Sequence, residues 1–423
     1  MLFALLPSAN PDIIHNIQCS YAEPEVVVSS SLAYYLTSLK NTIHNHNSDW
    51  DTYRKYTNPY EYINTNIPDT NRCVANKRPL SRSYFKMLEL VGEFKLVAEG
   101  FPKESRFAKI LGSVPMRSFH LAEGPGGFIE ALAELRSNPT DVYIGMTLQD
   151  EMNHNENIPA WKKSSHFLRN NPNVFLENGP SKTGDLLLTR NLAHCISQYG
   201  SSMDLITADG GFDFTADYQN QEVNISRLLF GQISYALCLQ KQGGHFVLKM
   251  FDCFMEHTVD LLYILSAFYK EVYITKPNTS RYANSERYVV CKGFLFPNNE
   301  RFVTKIYRCF VEVMSKPDVN IKRFLSCSVP LHFTSKIEEF NAIFGRQQID
   351  TIQQTTELIG SRHRREKIEQ YIKTNTQKCV SWCISHEIPY NSVQRKQQGT
   401  YGQAPEWASR ERSSLSPHPS LYF

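Results

Sequence analysis

Apolar and polar positions change rhythm twice along the 423-residue chain. Between about residues 80 and 297, short apolar runs alternate with stretches of helical periodicity. The runs at 118–122, 142–146, 174–177, 204–208, 245–250, 271–275 and 288–296 predict strands. Residues 81–98, 127–135 and 226–240 predict amphipathic helices, because their apolar residues recur every three or four positions. Alternating strands and helices predict an α/β fold, a mostly parallel sheet with helices on both faces. Only a loop separates the last two strands, so one of them runs antiparallel. The expected layout is seven strands with one reversed at an edge.

The flanks follow other patterns. Residues 1–75 are polar and rich in Asn and Tyr. There, 29–39 is the best helix and 41–70 reads as irregular loop. Residues 301–397 read as mainly helical, with amphipathic stretches at 302–314 and 336–344. In 361–374 the run Arg362, Arg364, Arg365, Lys367 and Lys373 fits a solvated helix face or an RNA-contacting one. Residues 398–423 have the Gly-, Pro-, Ser- and Gln-rich composition of a flexible tail. The expected organisation is therefore 1–75, 76–300, 301–397 and the tail, with no internal repeat.

Composition narrows the picture. Hydrophobic residues make up 41% and charged residues 21%, ordinary for a globular chain with a sizeable core. A net charge of +3 neither requires nor excludes a nucleic-acid partner, since a basic groove can sit on a near-neutral protein. The ten cysteines lack the dense, even spacing of a secreted scaffold and fit reduced thiols in the cytoplasm or nucleus. Cys379 and Cys383, with His386 nearby, resemble half a zinc site. No second pair matches, so no metal is expected. The opening MLFALL stops at Pro7, too short for a signal peptide or a membrane span.

The clearest local motif is His120-Leu121-Ala122-Glu123-Gly124-Pro125-Gly126-Gly127-Phe128. A strand runs into a glycine loop and then into a helix, at the strand's C-terminal end, where open α/β folds place ligands at the switch point. The spacing is not GxGxxG, and no acidic ribose ligand follows on the second strand, which disfavours a dinucleotide dehydrogenase. A tight turn without a ligand is the plain alternative. Further on, Asp185 in Thr183-Gly184-Asp185 can accept from a purine amine or start the next helix.

Four ionisable residues stand at positions suited to chemistry. Asp209 closes a strand, Lys249 lies at the end of another, Glu286 precedes the last, and Lys86 is on the helix before the sheet. A lysine in so apolar a strand is expensive to bury unless it is paired. Burial and a second nearby cation lower a lysine's pKa and make it a usable base. An ordinary salt-bridge network is the competing reading.

The ordered segments SRSYFKMLEL, HLAEGPGGFIEAL, TGD, DLITADGGFDF, GGHFVLKMFDCF and KPNTSRYANSERYVVCKGF resemble the FtsJ-type RNA 2′-O-methyltransferases. They are most similar to the mRNA cap enzymes of eukaryotes and large DNA viruses, over roughly residues 80–297. The resemblance implies a Rossmann-like methyltransferase fold that binds S-adenosylmethionine. It implies cofactor contacts at Glu123, Gly124, Pro125, Gly126, Gly127, Phe128, Asp185 and Asp209. It also implies a tetrad of Lys86, Asp209, Lys249 and Glu286, with Lys249 steering or deprotonating a ribose 2′-hydroxyl. Capped mRNA would be the partner, alongside capping or transcription machinery. Arg82, Arg281, Asn284 and Ser285 would contact RNA, with Lys77, Arg78 and Arg287 also on phosphates and Tyr84, Tyr282 and Tyr288 stacking bases. A ribosomal or transfer RNA enzyme, and a catalytically silent RNA-binding scaffold, are the alternatives.

Overall fold

The computed structural model describes residues 1–43, 46–97, 114–149, 158, 160–211, 220–361 and 365–391. The expected tail, Arg362 and Arg364 of the basic run, and residues 212–214 of ADGGFDF lie outside them.

The alternating region builds the sheet as the pattern predicts. Its strands are β3 (Arg117–Leu121), β4 (Val142–Met146), β5 (Val174–Leu176), β6 (Met203–Ala208), β7 (Gln240–Met250), β8 (Tyr269–Thr275) and β9 (Arg287–Phe294). Its helices are α3 (Ser83–Phe94), α4 (Gly127–Arg136), α5 (Ser165–Asn170), α6 (Thr189–Tyr199), α7 (Gln221–Leu239) and α8 (Glu256–Phe268). β3 to β7 are mutually parallel. The chain has the Rossmann-like α/β architecture.

Two details differ from expectation. The reversed strand is internal: β9 lies between β7 and β8, antiparallel to both. Without a crossover helix after β8, the chain can only return antiparallel. The slot beside β7 covers both faces of β9, so Tyr288, Val289, Val290 and Cys291 are all fully buried. There is also an eighth strand, β1 (Phe3–Leu5), antiparallel to β8 at the sheet edge. Three residues carry too little periodicity to announce a strand.

The flanks pack on one another and on the sheet domain. β2 (Ile17–Tyr21) pairs with β10 (Ile321–Leu325), joining the two ends of the chain. α1 (Ser30–Ile43) and α2 (Asn47–Thr57) pack on α10 (Leu331–Gly360). α2 replaces the irregular loop expected there. Its polar sequence hides one anchor, Trp50, which packs with Ile43, Ile352 and Ile359. α9 (Val303–Met314) and α11 (Arg365–Ser385) complete the helical part. Cys379, Trp382 and Cys383 of α11 join the core around α3. His386 stacks on Trp382 at 4.0 Å and is used in packing. Residues Met1–Asn391 form one compact unit. Among the described residues, no helix is long and apolar enough to cross a membrane.

Candidate active site

The glycine loop leaves the C-terminal end of β3 and enters α4. Gly126 adopts a left-handed φ of +103°, which a residue with a Cβ rarely takes. Gly127 permits a close approach within the protein itself. A Cβ there would lie 2.2 Å from Ser81 Oγ and 2.3 Å from Ser83 Oγ at the start of α3. This glycine therefore seats the helix that carries Lys86. Phe128 donates its amide to Glu123 Oε1, and its buried ring packs 6.1 Å from that of Tyr288.

Glu123 is an unusual carboxyl group. It is buried, and its Oε2 has no hydrogen-bond partner. Burial pushes its pKa well above the carboxylate range, against the lowering pull of the Phe128 amide. His120, 3.9 Å away, gives little compensation. Its own pKa is driven down to about 3 by burial, and its nitrogens are engaged by Ser118 and Thr207 at 2.8 and 2.7 Å. A buried, unsatisfied oxygen at a strand's C-terminal end suits a ligand that brings a hydrogen-bond donor. Asp185 spends Oδ1 on the Leu187 amide at 2.8 Å, in the turn before α6, and stays half-buried. These residues fit a cofactor with ribose hydroxyls and a purine amine.

The four ionisable residues converge from four elements. Lys86 on α3 sits 2.7 Å from Glu286 Oε1 and 2.9 Å from Oε2. Lys249 on β7 sits 3.2 Å from Asp209 Oδ1 and donates to the Asp209 carbonyl at 2.6 Å. Tyr288 links the two pairs: its hydroxyl donates to Asp209 Oδ1 at 2.8 Å and lies 3.4 Å from Lys86 Nζ. Burial alone would raise the Glu286 pKa. Lys86, then Lys249 and the Ser280 hydroxyl, overcome it and hold the group below the usual carboxylate range. Glu286 is thus a buried anion paired with Lys86 and lowered further by the charge of Lys249. Gly211 leaves room for Lys249, since a Cβ there would stand 3.3 Å from Nζ.

The 276–286 segment between β8 and β9 delivers Glu286, and sequence reasoning missed most of what holds it. Glu89 on α3 accepts from the amides of Asn278 and Thr279 at 2.7 and 2.8 Å. Lys276 donates to the carbonyls of Asn284 and Glu286, both at 2.7 Å, and to Asn284 Oδ1 at 2.9 Å. Burial lowers the Lys276 pKa to about 7, against the pull of Glu286. The available signal was Glu89, a carboxylate among Met87, Leu88, Leu90 and Val91; Lys276, followed by Pro277-Asn278-Thr279-Ser280, carried none.

The expected RNA contacts are placed unevenly. Two expected contacts are corrected: Ser285 is buried with its hydroxyl on Asp252, and Arg287 is buried with Nη1 on Asn341 Oδ1 at 2.7 Å, so neither side chain is open to RNA. Arg281 grips buried Glu61 at 2.8 and 3.1 Å, and Arg82 lies 3.6 Å from the same carboxylate and donates to the Thr279 carbonyl at 3.1 Å. Asn284 is exposed. Tyr84 is buried, with its hydroxyl on Glu134 at 2.7 Å, and Tyr288 is wholly interior, so neither ring is open to a base. Tyr282 is half-buried. Lys77 pairs with Glu130 and Glu134, whereas Arg78 is exposed.

The model of the FtsJ-like methyltransferase family matches residues 79–294, half of the chain, and the chain belongs to that family. Cap-specific mRNA (nucleoside-2′-O-)-methyltransferase 2 of Danio rerio is 28% identical over 366 residues, 80% of this chain and 45% of that protein. Cap-specific mRNA (nucleoside-2′-O-)-methyltransferase 1 of Trypanosoma brucei brucei is 32% identical over 196 residues, 45% of this chain and 52% of that protein. The inactive cap-specific mRNA (nucleoside-2′-O-)-methyltransferase 1B of Caenorhabditis briggsae is 33% identical over 177 residues, 40% of this chain and 20% of that protein. The chain thus spans about half the length, or less, of these curated relatives.

Proposed function

We propose that the chain transfers a methyl group from S-adenosylmethionine to a ribose 2′-oxygen of RNA, at cap-proximal nucleotides of mRNA. The observation that carries this reading is the Lys86–Glu286, Tyr288, Asp209–Lys249 constellation beside the glycine loop. The cap preference draws on the similarity to the Danio rerio enzyme, which covers 80% of this chain and so extends beyond the family-matched segment 79–294.

The cofactor supplies an electrophilic methyl on a sulfonium, a group that needs no metal to leave. Glu123 through Phe128, Asp185 and Asp209 hold it. Lys249 steers the 2′-hydroxyl and, entering the step as the neutral amine, takes up its proton as the oxygen bonds the methyl. Asp209 fixes the Lys249 side chain and pairs with the ammonium so formed, and Tyr288 fixes the Asp209 carboxylate. Lys86 and Glu286 set the field on the other side of the hydroxyl. Alignment of hydroxyl and methyl within about 3–3.5 Å is the larger contribution. Proton handling adds about 10²–10⁴-fold. Arg82, Arg281 and Asn284 form the rim that meets RNA.

The test is labelled methyl transfer to cap-0 RNA, with ribosomal and transfer RNA as comparison substrates. Wild type is expected to label cap-0 RNA best, and folded Lys249→Ala to lose about 10²-fold or more while still binding the cofactor. Cofactor binding without transfer to any RNA would favour a silent scaffold, a outcome that the inactive nematode relative makes worth the control. Near wild-type rates in the variant would remove Lys249 from the mechanism.

A further inference from the structure

The loop that delivers Glu286 is also held from outside the family-matched segment. Lys40, on α1, places its ammonium 2.7 Å from Asp252 Oδ2 and 2.8 Å from Ser285 Oγ. The Ser285 hydroxyl in turn donates to Asp252 Oδ2 at 2.9 Å. All three side chains are buried: Lys40 is 8% exposed, Asp252 7% and Ser285 4%. Gln348 on α10 reaches the same place, donating to the Ala283 carbonyl at 3.1 Å.

The positions of the three residues matter more than their energies. Asp252 lies three residues beyond Lys249, and Ser285 immediately precedes Glu286. One buried node therefore ties the end of β7 to the start of β9, the two strands that present Lys249 and Glu286. A buried ion pair gives little net stability, because desolvation consumes much of its attraction. It does fix geometry, since a displaced partner leaves a charge uncompensated. Burial works against the Asp252 carboxylate, yet Lys40, followed by Arg287, holds its pKa below the usual value.

We propose that Lys40 is a positioning residue for methyl transfer: by clamping Ser285 to Asp252, it sets Glu286 against Lys86 and Lys249 at the acceptor hydroxyl. This inference rests on the transferase reading above. It gives the N-terminal flank a part in catalysis distinct from any part in recognising RNA.

Removing Lys40 alone strands a buried carboxylate, so the test uses the charge-neutral pair Lys40→Met/Asp252→Asn together with Ser285→Ala and Ser285→Thr. In the full chain, the double variant and Ser285→Ala are each expected to lower kcat about 10-fold, since sub-ångström misplacement of reacting groups is enough for that. KM for cap-0 RNA and Kd for S-adenosylmethionine stay unchanged, and Ser285→Thr keeps its rate. Combining Ser285→Ala with the double variant adds little further loss, because the residues act as one unit. Hydrogen exchange is expected to speed up in 276–286 and not in the glycine loop. Folded variants with wild-type kcat overturn the proposal, as does a rise in RNA KM alone, which would make Ser285 a direct contact. A wild-type chain without transferase activity would instead sink the functional reading. Unchanged exchange in 276–286 would then still overturn this one.

Discussion

The two halves of the site are built in opposite ways. In the proposed reading the donor half rests mainly on a local turn. Glu123, Gly124, Pro125, Gly126, Gly127 and Phe128 are consecutive, and one strand-to-helix turn fixes them, with Asp185 and Asp209 joining from beyond β5 and β6. The acceptor half is assembled from a distance. Lys86, Asp209, Lys249 and Glu286 come from α3, the end of β6, β7 and the β8–β9 loop, and 200 residues separate Lys86 from Glu286. Its supports reach further, to Lys40 and Glu61 before the matched segment and Gln348 after it. A local turn places a cofactor with few partners. Opposing charges in a desolvated space need rigid walls on every side.

Three perturbations probe this contrast, beginning with the greatest loss. Lys86→Met leaves Glu286 buried with its first counter-charge gone, and breaking such a pair costs about 3–5 kcal/mol. Denaturant unfolding measures it, and a loss below about 1 kcal/mol would mean that Lys249 and Ser280 hold Glu286 unaided. Gly127→Ala forces its Cβ against the Ser81 and Ser83 hydroxyls, and overpacking of this kind costs about 1–3 kcal/mol. Because those serines begin α3, the variant is expected to slow methyl transfer as well as weaken cofactor binding. Weakened binding with an intact rate would separate the halves more sharply than the geometry does.

The smallest effect concerns Glu61. Burial would raise its pKa, but the Arg281 hydrogen bond and the Arg82 charge bring it from 4.5 down to about 2. Its pKa is lowered on folding, so its ionisation stabilises the protein fully above pH 4.5. That contribution is lost as pH falls towards 2. Glu61→Gln is expected to destabilise the protein at neutral pH, with the gap from wild type closing between pH 4.5 and 2. A gap that stays constant through that window would show that the carboxylate charge contributes nothing there.

Within the matched segment, most of the architecture was legible. Strand and helix periodicities survive in the sequence because each element buries one face or both. The seven sheet strands from 117 to 294 were found within a few residues. What escaped was short or disguised. β1 is three residues long, and α2 is a polar helix anchored by Trp50. β9 took an internal slot because that position buries both its faces, which linear spacing does not encode. At the site, the ordered motifs drew attention to four charged residues. They did not disclose Tyr288 as the bridge between two ion pairs, and they offered Ser285 as an RNA contact when it is an internal tie.

By itself the sequence determined the fold class, the strand-to-helix glycine loop and the placement of four ionisable residues on the leading helix and at strand ends, since periodicity, turn chemistry and motif order are properties of the linear chain. Tertiary structure alone decided which charges meet, how deeply they lie and what braces them. Burial and distance set the strength of an electrostatic interaction. They arise only when segments as remote as Lys40, Asp252 and Ser285 close on one another.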